Sequence, residues 1–174
     1  GVSKRLYDAI PDEDWRKHSW LDPERENYYK YKFAGTEKDK DDFLNGMPAA
    51  RDYEALKFRP AQGECSDFNV GNAGDFCMMR IEEMYFLEME AKYFLDPAEG
   101  VKLLQDFMKT YRYKGYSRIS TGADKTTFLT ELLLQKRIEF WGEGILFYDY
   151  KRMDMGITRS YPGSNHAGVY KLNT

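Results

Sequence analysis

Apolar residues recur at helical spacing from Met78 to Leu95, a stretch that contains no glycine and no proline. One apolar stripe at three- to four-residue spacing is made of Ile81, Met84, Ala91 and Leu95. The Asp96-Pro97 pair that follows supplies a capping side chain and a proline, whose fixed φ suits the first helical position. The pattern predicts an antiparallel helix hairpin over residues 78–113.

A third long helix is predicted to begin after Asp124, which can cap it, and to run through a leucine triplet toward Gly142. Gly142 and Gly144 then interrupt the pattern. Two glycines this close predict either a kink or a break into a second short helix that reaches about Arg152. We therefore expect residues 124–155 to form one helical segment with a kink.

The other parts of the chain have shorter and less regular patterns. Residues 1–77 are predicted to be loop-rich, with short helices from Ser3 to Ile10 and from Asp12 to Lys17, and residues 156–174 are predicted to form an irregular tail. A chain of 174 residues can bury one core and does not demand two, so we expect a single domain over residues 1–174.

Charges alternate with large apolar side chains in the segment from Gln135 to Arg152. Several of these charges must be partly buried, where an unpaired charge is costly. We hypothesise that Arg80 and Glu83 on the first long helix form charge-assisted hydrogen bonds with residues of this segment, namely Arg137, Glu139 or Glu143. Such pairing would fix the register of the helices, so Arg137→Ala is expected to lower the thermal stability.

The spacing of Glu139 and Glu143 could also suggest a paired-carboxylate glycosidase. Residues four apart on a helix have Cβ atoms roughly 5–6 Å apart, which is compatible with that chemistry. Two acids on one helix face cannot readily flank a sugar from opposite sides, so ion pairing is favoured over catalysis. A dinucleotide site at Gly142 and Gly144 is disfavoured because no strand precedes them.

Composition excludes several classes of partner and site. The net charge of -3 gives no basic surface for DNA, RNA or an anionic membrane. No apolar run approaches the roughly 20 residues of a membrane helix. Cys65 and Cys77 form no metal-binding pattern, and whether they pair is left open, so we expect no metal and no cofactor. Aromatic residues reach 16%, which indicates that some are exposed and can bind a ligand.

Two motifs give the chain a resemblance to a known family. The first is Arg80, Glu83, Glu90 and Ala91. The second is a gapless stretch that contains Gln135, Lys136, Arg137, Glu139, Phe140, Glu143, Gly144, Asp149, Tyr150 and Arg152. With them the chain resembles the C-terminal part of SusD/RagB-like nutrient-uptake lipoproteins of the outer membrane. It departs from the family pattern where Gln135 replaces an acid, Lys136 an arginine and Gly142 an aromatic residue.

The resemblance implies an all-α, tetratricopeptide-like helical SusD fold with long irregular loops, of which this chain would be a C-terminal fragment. It also implies a surface-exposed lipoprotein of the cell outer membrane, held by an N-terminal lipid anchor outside this segment. Such a protein captures an oligosaccharide, or in some members a peptide, and delivers it to a SusC-like TonB-dependent transporter without enzymatic chemistry. A protein-interaction scaffold with no small ligand is an alternative.

The resemblance gives most motif positions a structural role and no catalytic one. Those positions are Arg80, Glu83, Glu90, Arg137, Glu139, Glu143, Gly144, Asp149 and Arg152. Ligand contacts are instead expected from aromatic and polar residues in loops, because sugars stack on exposed rings. The candidates are Trp15, Trp20, Asn27, Tyr28, Tyr29, Tyr31, Tyr161, Asn165 and His166, with Trp20 the foremost. Trp15 could equally pack under its own helix, the three tyrosines could line a half-buried strand, and Phe140 and Trp141 are expected in the core.

Overall fold

The computed structural model describes residues 1–23, 52–55, 57–58, 78–158 and 161, together with the backbone of 169–170. Its helices are α1 Lys4–Asp8, a 3₁₀ helix Trp15–Ser19, α2 Ile81–Leu95, α3 Pro97–Tyr111, α4 Lys125–Glu139 and α5 Leu146–Arg152. Two short strands follow, β1 Ile157–Thr158 and β2 Val169–Tyr170. The described part is thus mainly helical, as expected for an all-α chain.

Helix starts in this chain are set by capping side chains. Asp96 accepts hydrogen bonds from the amides of Ala98 and Glu99, so α3 starts where the sequence predicts. Asp124 accepts from the amide of Thr127 and begins α4 in the same way. Capping side chains also begin the helices of the N-terminal half: Ser3 caps α1 and Asp14 caps the 3₁₀ helix. This 3₁₀ helix lies slightly later in the chain than the predicted helix from Asp12 to Lys17.

Helices α2 and α3 form the predicted antiparallel hairpin. Gly100 lies so close to α2 that a Cβ added there would come within 2.4 Å of the Tyr93 backbone, so only glycine allows this approach. Farther along the hairpin the rings of Phe86 and Phe107 meet edge to face with centroids 5.5 Å apart. The face that α2 buries contains Phe86, Met89 and Tyr93, so the apolar stripe read from the sequence is on the exposed side.

Helix α4 is the central element because it contributes to two hydrophobic clusters. On one side Phe128 stacks on Tyr93 with centroids 4.0 Å apart, inside the cluster formed with the hairpin. On the other side Ile138 joins a second cluster with Leu6 of α1 and with Trp20. The N-terminal segment and the hairpin are therefore held on opposite sides of one helix.

The glycine pair breaks the motif segment into two helices, which confirms the predicted alternative of a second short helix reaching Arg152, while the kinked single helix expected over 124–155 is wrong. Helix α4 ends at Glu139 and α5 begins at Leu146. Gly142 and Gly144 have φ of +79° and +82°, a backbone region that L side chains rarely adopt. A side chain at Gly142 would also collide with the ring of Phe58, at 2.5 Å.

The described residues of the tail and of the N-terminal half contain extended pairings. β1 and β2 pair antiparallel, with Ile157 opposite Tyr170, so the tail is not wholly irregular as predicted. In the N-terminal half Leu21 donates from its amide to the Glu54 carbonyl at 2.9 Å, next to a bridge between Trp20 and Ala55. Within the described ranges no helix has the length and apolar character needed to cross a bilayer.

Candidate functional site

A line of polar side chains is buried along one face of α4. Glu131, Gln135 and Glu139 are spaced four apart, which places them on the same face, and none exposes more than 7% of its surface. A buried carboxylate without partners would be strongly destabilising. The contacts of these three side chains therefore show how the motif is accommodated in the fold.

Glu139 is the centre of a cluster of guanidinium groups. Its carboxylate accepts hydrogen bonds from Arg16 at 3.1 Å, from Arg80 at 3.0 Å and from Arg112 at 2.8 Å. Burial acts to raise the pKa of Glu139, but the charges of Arg112 and Arg16 outweigh it, so this pKa is lowered. Arg16 lies in the 3₁₀ helix, Arg80 directly precedes α2 and Arg112 directly follows α3, so Glu139 connects these three elements to α4.

Glu143 extends this cluster beyond the end of α4. It accepts from Arg80 Nε at 3.2 Å and from Arg80 Nη2 at 3.0 Å, and it also pairs with Lys57. Burial lowers the pKa of Arg80, yet its hydrogen bonds to Glu143 and Glu139 raise it overall, so the charged form is favoured. The hypothesised pairing of Arg80 with Glu139 and Glu143 is therefore present.

The same hypothesis is wrong for Glu83 and Arg137. In the part of the chain that the structure describes, neither side chain takes part in an ion pair. The further cationic partners of Glu139 are Arg16 and Arg112, which come from distant parts of the sequence.

Gln135 is a buried amide that bonds to one cation and one anion. Its Oε1 accepts from Arg16 at 2.6 Å, while its Nε2 donates to Glu131 at 2.7 Å. A carboxylate could not donate to Glu131, so the amide connects a cation and an anion in one buried chain. Glu131 also accepts from the Tyr116 hydroxyl at 3.0 Å and from Arg118 at 3.1 Å.

The remaining motif charges connect α5 to the helices beneath it. Arg152 donates to both oxygens of Glu90, at 2.6 and 2.7 Å, and to Asp149 at 2.8 Å. Lys136 of α4 pairs with the same Asp149. These bonds span α2, α4 and α5, so the motif charges act together as a structural network. We call the carboxylates Glu90, Glu131, Glu139, Glu143 and Asp149, together with Gln135 and their cationic partners, the carboxylate network.

Trp20, the foremost ligand candidate, is buried rather than exposed in a loop, so that expectation is wrong. Only 1% of its surface is accessible, and its ring meets Trp141 edge to face with centroids 6.0 Å apart. Its backbone bridge to Ala55 places the indole inside the second hydrophobic cluster. A buried indole offers no face on which a ligand could stack.

Trp15 is half exposed, but its indole ring also contacts other residues of the protein. Its indole N–H donates to the Tyr111 carbonyl at 2.9 Å, and the guanidinium of Arg112 lies 5.4 Å from the ring centroid. The ring therefore covers the end of α3. Six further candidates lie outside the described residues: Asn27, Tyr28, Tyr29, Tyr31, Asn165 and His166.

Tyr161 lines a pocket of about 540 Å³ bounded by α1, α4, α5 and the start of β1. Its lining includes two tyrosines, Tyr150 and Tyr161, and two arginines, Arg5 and Arg137. The Arg5 guanidinium lies 5.7 Å from the centre of the Tyr161 ring. We call this cavity the arginine pocket. Of these four residues the sequence predicts only Tyr161 as a ligand contact; Arg137 and Tyr150 are motif positions, and Arg5 has no motif spacing.

The two arginines of the pocket differ from the other described arginines. The others pair with carboxylates, namely Arg16, Arg80, Arg112, Arg118 and Arg152. Arg5 and Arg137 form no ion pair with any described residue, and no described residue of the lining is acidic. The pocket therefore presents two cationic forks that are available to an anion.

The polar side chains in the described lining of the pocket are those of Ser3, Arg5, Arg137, Tyr150 and Tyr161. Its described lining contains no Asp, Glu, His, Cys or Lys that could act as a general acid, base or nucleophile. Across the described ranges no group of His, Cys, Asp and Glu is arranged to hold a metal ion. Searches of family models, of curated proteins and of solved structures find no match to this chain.

Proposed function

We propose that this chain captures an oligosaccharide at the arginine pocket and passes it on without changing it. The observation that carries the proposal is a concave site of about 540 Å³ with two tyrosine rings and two guanidinium groups that form no ion pair with a described residue. That volume is ordinary for a small-ligand site, and tyrosine rings suit the apolar faces of sugars. The SusD/RagB-like resemblance supplies the setting: a tetratricopeptide-like lipoprotein on the outer-membrane surface that delivers ligand to a SusC-like TonB-dependent transporter.

The state of the motif carboxylates supports capture without catalysis. A retaining or inverting glycosidase needs two carboxyl groups free to flank the scissile bond. Glu139 instead accepts from three guanidinium groups, and Glu143 is bound by Arg80 and Lys57. The lowered pKa of Glu139 also makes it a poor proton donor near neutral pH. These acids stabilise the fold and leave no pair for hydrolysis.

A glycan-binding screen tests the proposal. The protein and its Tyr161→Ala variant are titrated with the best ligand, and loss of the stacking ring is expected to weaken binding about tenfold. Trp15→Ala is the matched control because it removes a half-exposed ring outside the pocket and should leave the affinity unchanged. The ligand should be recovered intact after prolonged incubation. Absence of glycan binding, or hydrolysis of the bound glycan, would contradict the proposal.

Peptide capture by the same lid mechanism is the alternative within the resemblance. A peptide library in the same titration separates the two. If peptides bind in a Tyr161-dependent way and no glycan does, the oligosaccharide proposal is wrong and the peptide alternative replaces it.

A protein-contact function is favoured by a different surface. Helix α2 exposes large apolar side chains along one side: Ile81, Leu87, Phe94 and Leu95 are between 47% and 83% accessible. Contiguous exposed apolar surface marks protein–protein contacts. A scaffold function predicts that Leu95→Glu abolishes co-purification of a barrel-forming transporter while glycan binding is unchanged. If the transporter still co-purifies with the Leu95→Glu variant, α2 does not form that contact.

A further inference from the structure

The arginine pocket combines features that point to the charge of its ligand. The chain as a whole is acidic, with a net charge of -3, yet the described lining of this pocket contains two arginines and no acid. The other described arginines are each bound to a carboxylate, so among the described residues only the two guanidinium groups of the pocket have none. A concave site with one sign of charge concentrates the field and attracts ligands of the opposite sign.

The two guanidinium groups come from different elements. Arg5 projects from α1 and Arg137 from α4, and both line the same cavity. Arg137 is half-buried and lies two residues before Glu139, where three cations already surround one carboxylate. Residues two apart on a helix point to different sides of it, so Arg137 lines the pocket while Glu139 faces the cluster. The absence of an ion pair between Arg137 and any described residue follows from this placement on α4.

We propose that the pocket selects an anionic oligosaccharide, one whose sugar carries a carboxylate or a sulfate. Arg5 and Arg137 bind the oxyanion, because planar guanidinium forks match its oxygens in geometry and charge. Tyr150 and Tyr161 contact the apolar faces of the sugar, and their hydroxyls can reach its polar rim. This inference rests on the proposed function and adds the substrate class to it.

The test compares three oligosaccharides of equal length: a neutral one, a uronate-containing one and a sulfated one. Each is titrated into the protein and into Arg5→Gln, Arg137→Gln and Lys114→Gln. Lys114 is exposed, outside the pocket lining and carries the same charge, so its variant controls for a change in net charge. At least one acidic ligand should bind about tenfold more tightly than the neutral one. Each arginine variant should lose about tenfold of that affinity, and Lys114→Gln should lose none.

The outcomes separate this inference from the function on which it rests. Tighter binding of the neutral oligosaccharide, or acidic binding that is unchanged in both arginine variants, overturns anion selection while glycan capture stands. No binding of any glycan overturns both. Arginine-dependent binding of a peptide carboxylate alone also overturns both, because the ligand is then no sugar. Arg5 and Arg137 have no ion pair to lose among the described residues, so the melting temperatures of their variants should match the parent and make each affinity interpretable.

Discussion

The carboxylate network and the arginine pocket place the same side chain in opposite situations. In the network Arg16, Arg80 and Arg112 converge on Glu139, and their charges are neutralised by the protein. In the pocket Arg5 and Arg137 have no acidic partner among the described residues. Arg137 belongs to the same sequence motif as Glu139, two positions away on the same helix. The difference shows that the role of an arginine here is set by its neighbours in space and not by its position in a motif.

The largest expected effect comes from removing the centre of the network. Glu139→Gln keeps the size of the side chain but removes the counter-charge that Arg16 and Arg112 share. Among the described residues, Arg16 then retains only Asp14 and Arg112 only the 3.5 Å contact with Glu82. Breaking a buried ion pair on one side costs about 3–5 kcal/mol, so the free energy of unfolding should fall by that amount. Urea denaturation followed by circular dichroism measures it. A loss below about 1 kcal/mol would show that the network is not structural.

A smaller effect is expected where the network reaches the surface. Arg152 binds both oxygens of Glu90, but its side chain is 47% exposed, so solvent screens part of the attraction. Arg152→Gln should lower the free energy of unfolding by roughly 1 kcal/mol, less than Glu139→Gln, because Asp149 keeps Lys136 as a partner. The same urea experiment gives the ranking. An Arg152→Gln loss equal to that of Glu139→Gln would contradict the assignment of Glu139 as the centre.

The pH dependence of stability gives the third and smallest effect near neutral pH. The pKa of Glu139 is lowered from its ordinary value of 4.5, with the opposing effect of burial outweighed by Arg112 and Arg16. A carboxyl group whose folded pKa is depressed contributes stability above its unfolded pKa and loses it as pH falls through the folded pKa. Glu139 should therefore add no pH dependence from neutral pH down to about 4.5 and a loss of stability below it.

Titration of the Glu139 carboxyl carbon by NMR checks this directly. The folded protein should titrate below 4.5, and raising the ionic strength should move its pKa little because the group is buried. A folded pKa at or above 4.5 would mean that burial prevails over the three guanidinium groups.

Local features of this fold are predictable from sequence, whereas the partners of its side chains are not. Asp96 and Asp124 start their helices because capping depends on residues next to them. Which face of α2 is buried depends on its packing against α3, and the apolar stripe through Ile81 and Leu95 gave the wrong side. The sequence does predict that buried charges of α4 are paired, because an unpaired buried charge is costly.

The site is harder to predict because it also depends on which residues the fold brings together from distant parts of the sequence. Trp20 is surrounded by the second hydrophobic cluster, whose members Leu6 and Ile138 are distant in sequence. Glu139 binds Arg16, which is more than a hundred residues away in the sequence. Arg137 of the same motif does not take part in this cluster. Among the described lining residues, Tyr161 is a predicted ligand contact because sugars stack on exposed aromatic rings in loops. Arg5 carried no such signal, since a lone arginine on a short helix is ordinary.

The difference between the two regions is tested most directly by thermal denaturation of a matched pair, Arg80→Gln and Arg137→Gln. Both changes remove one guanidinium group that belongs to the family-like motifs. Arg80→Gln loses the hydrogen bonds to Glu139 and Glu143, so its melting temperature should fall by at least about 3 °C. Arg137→Gln loses no ion pair within the described residues and should shift by less than about 2 °C. Equal shifts, or a larger fall for Arg137→Gln, would contradict the division between network and pocket.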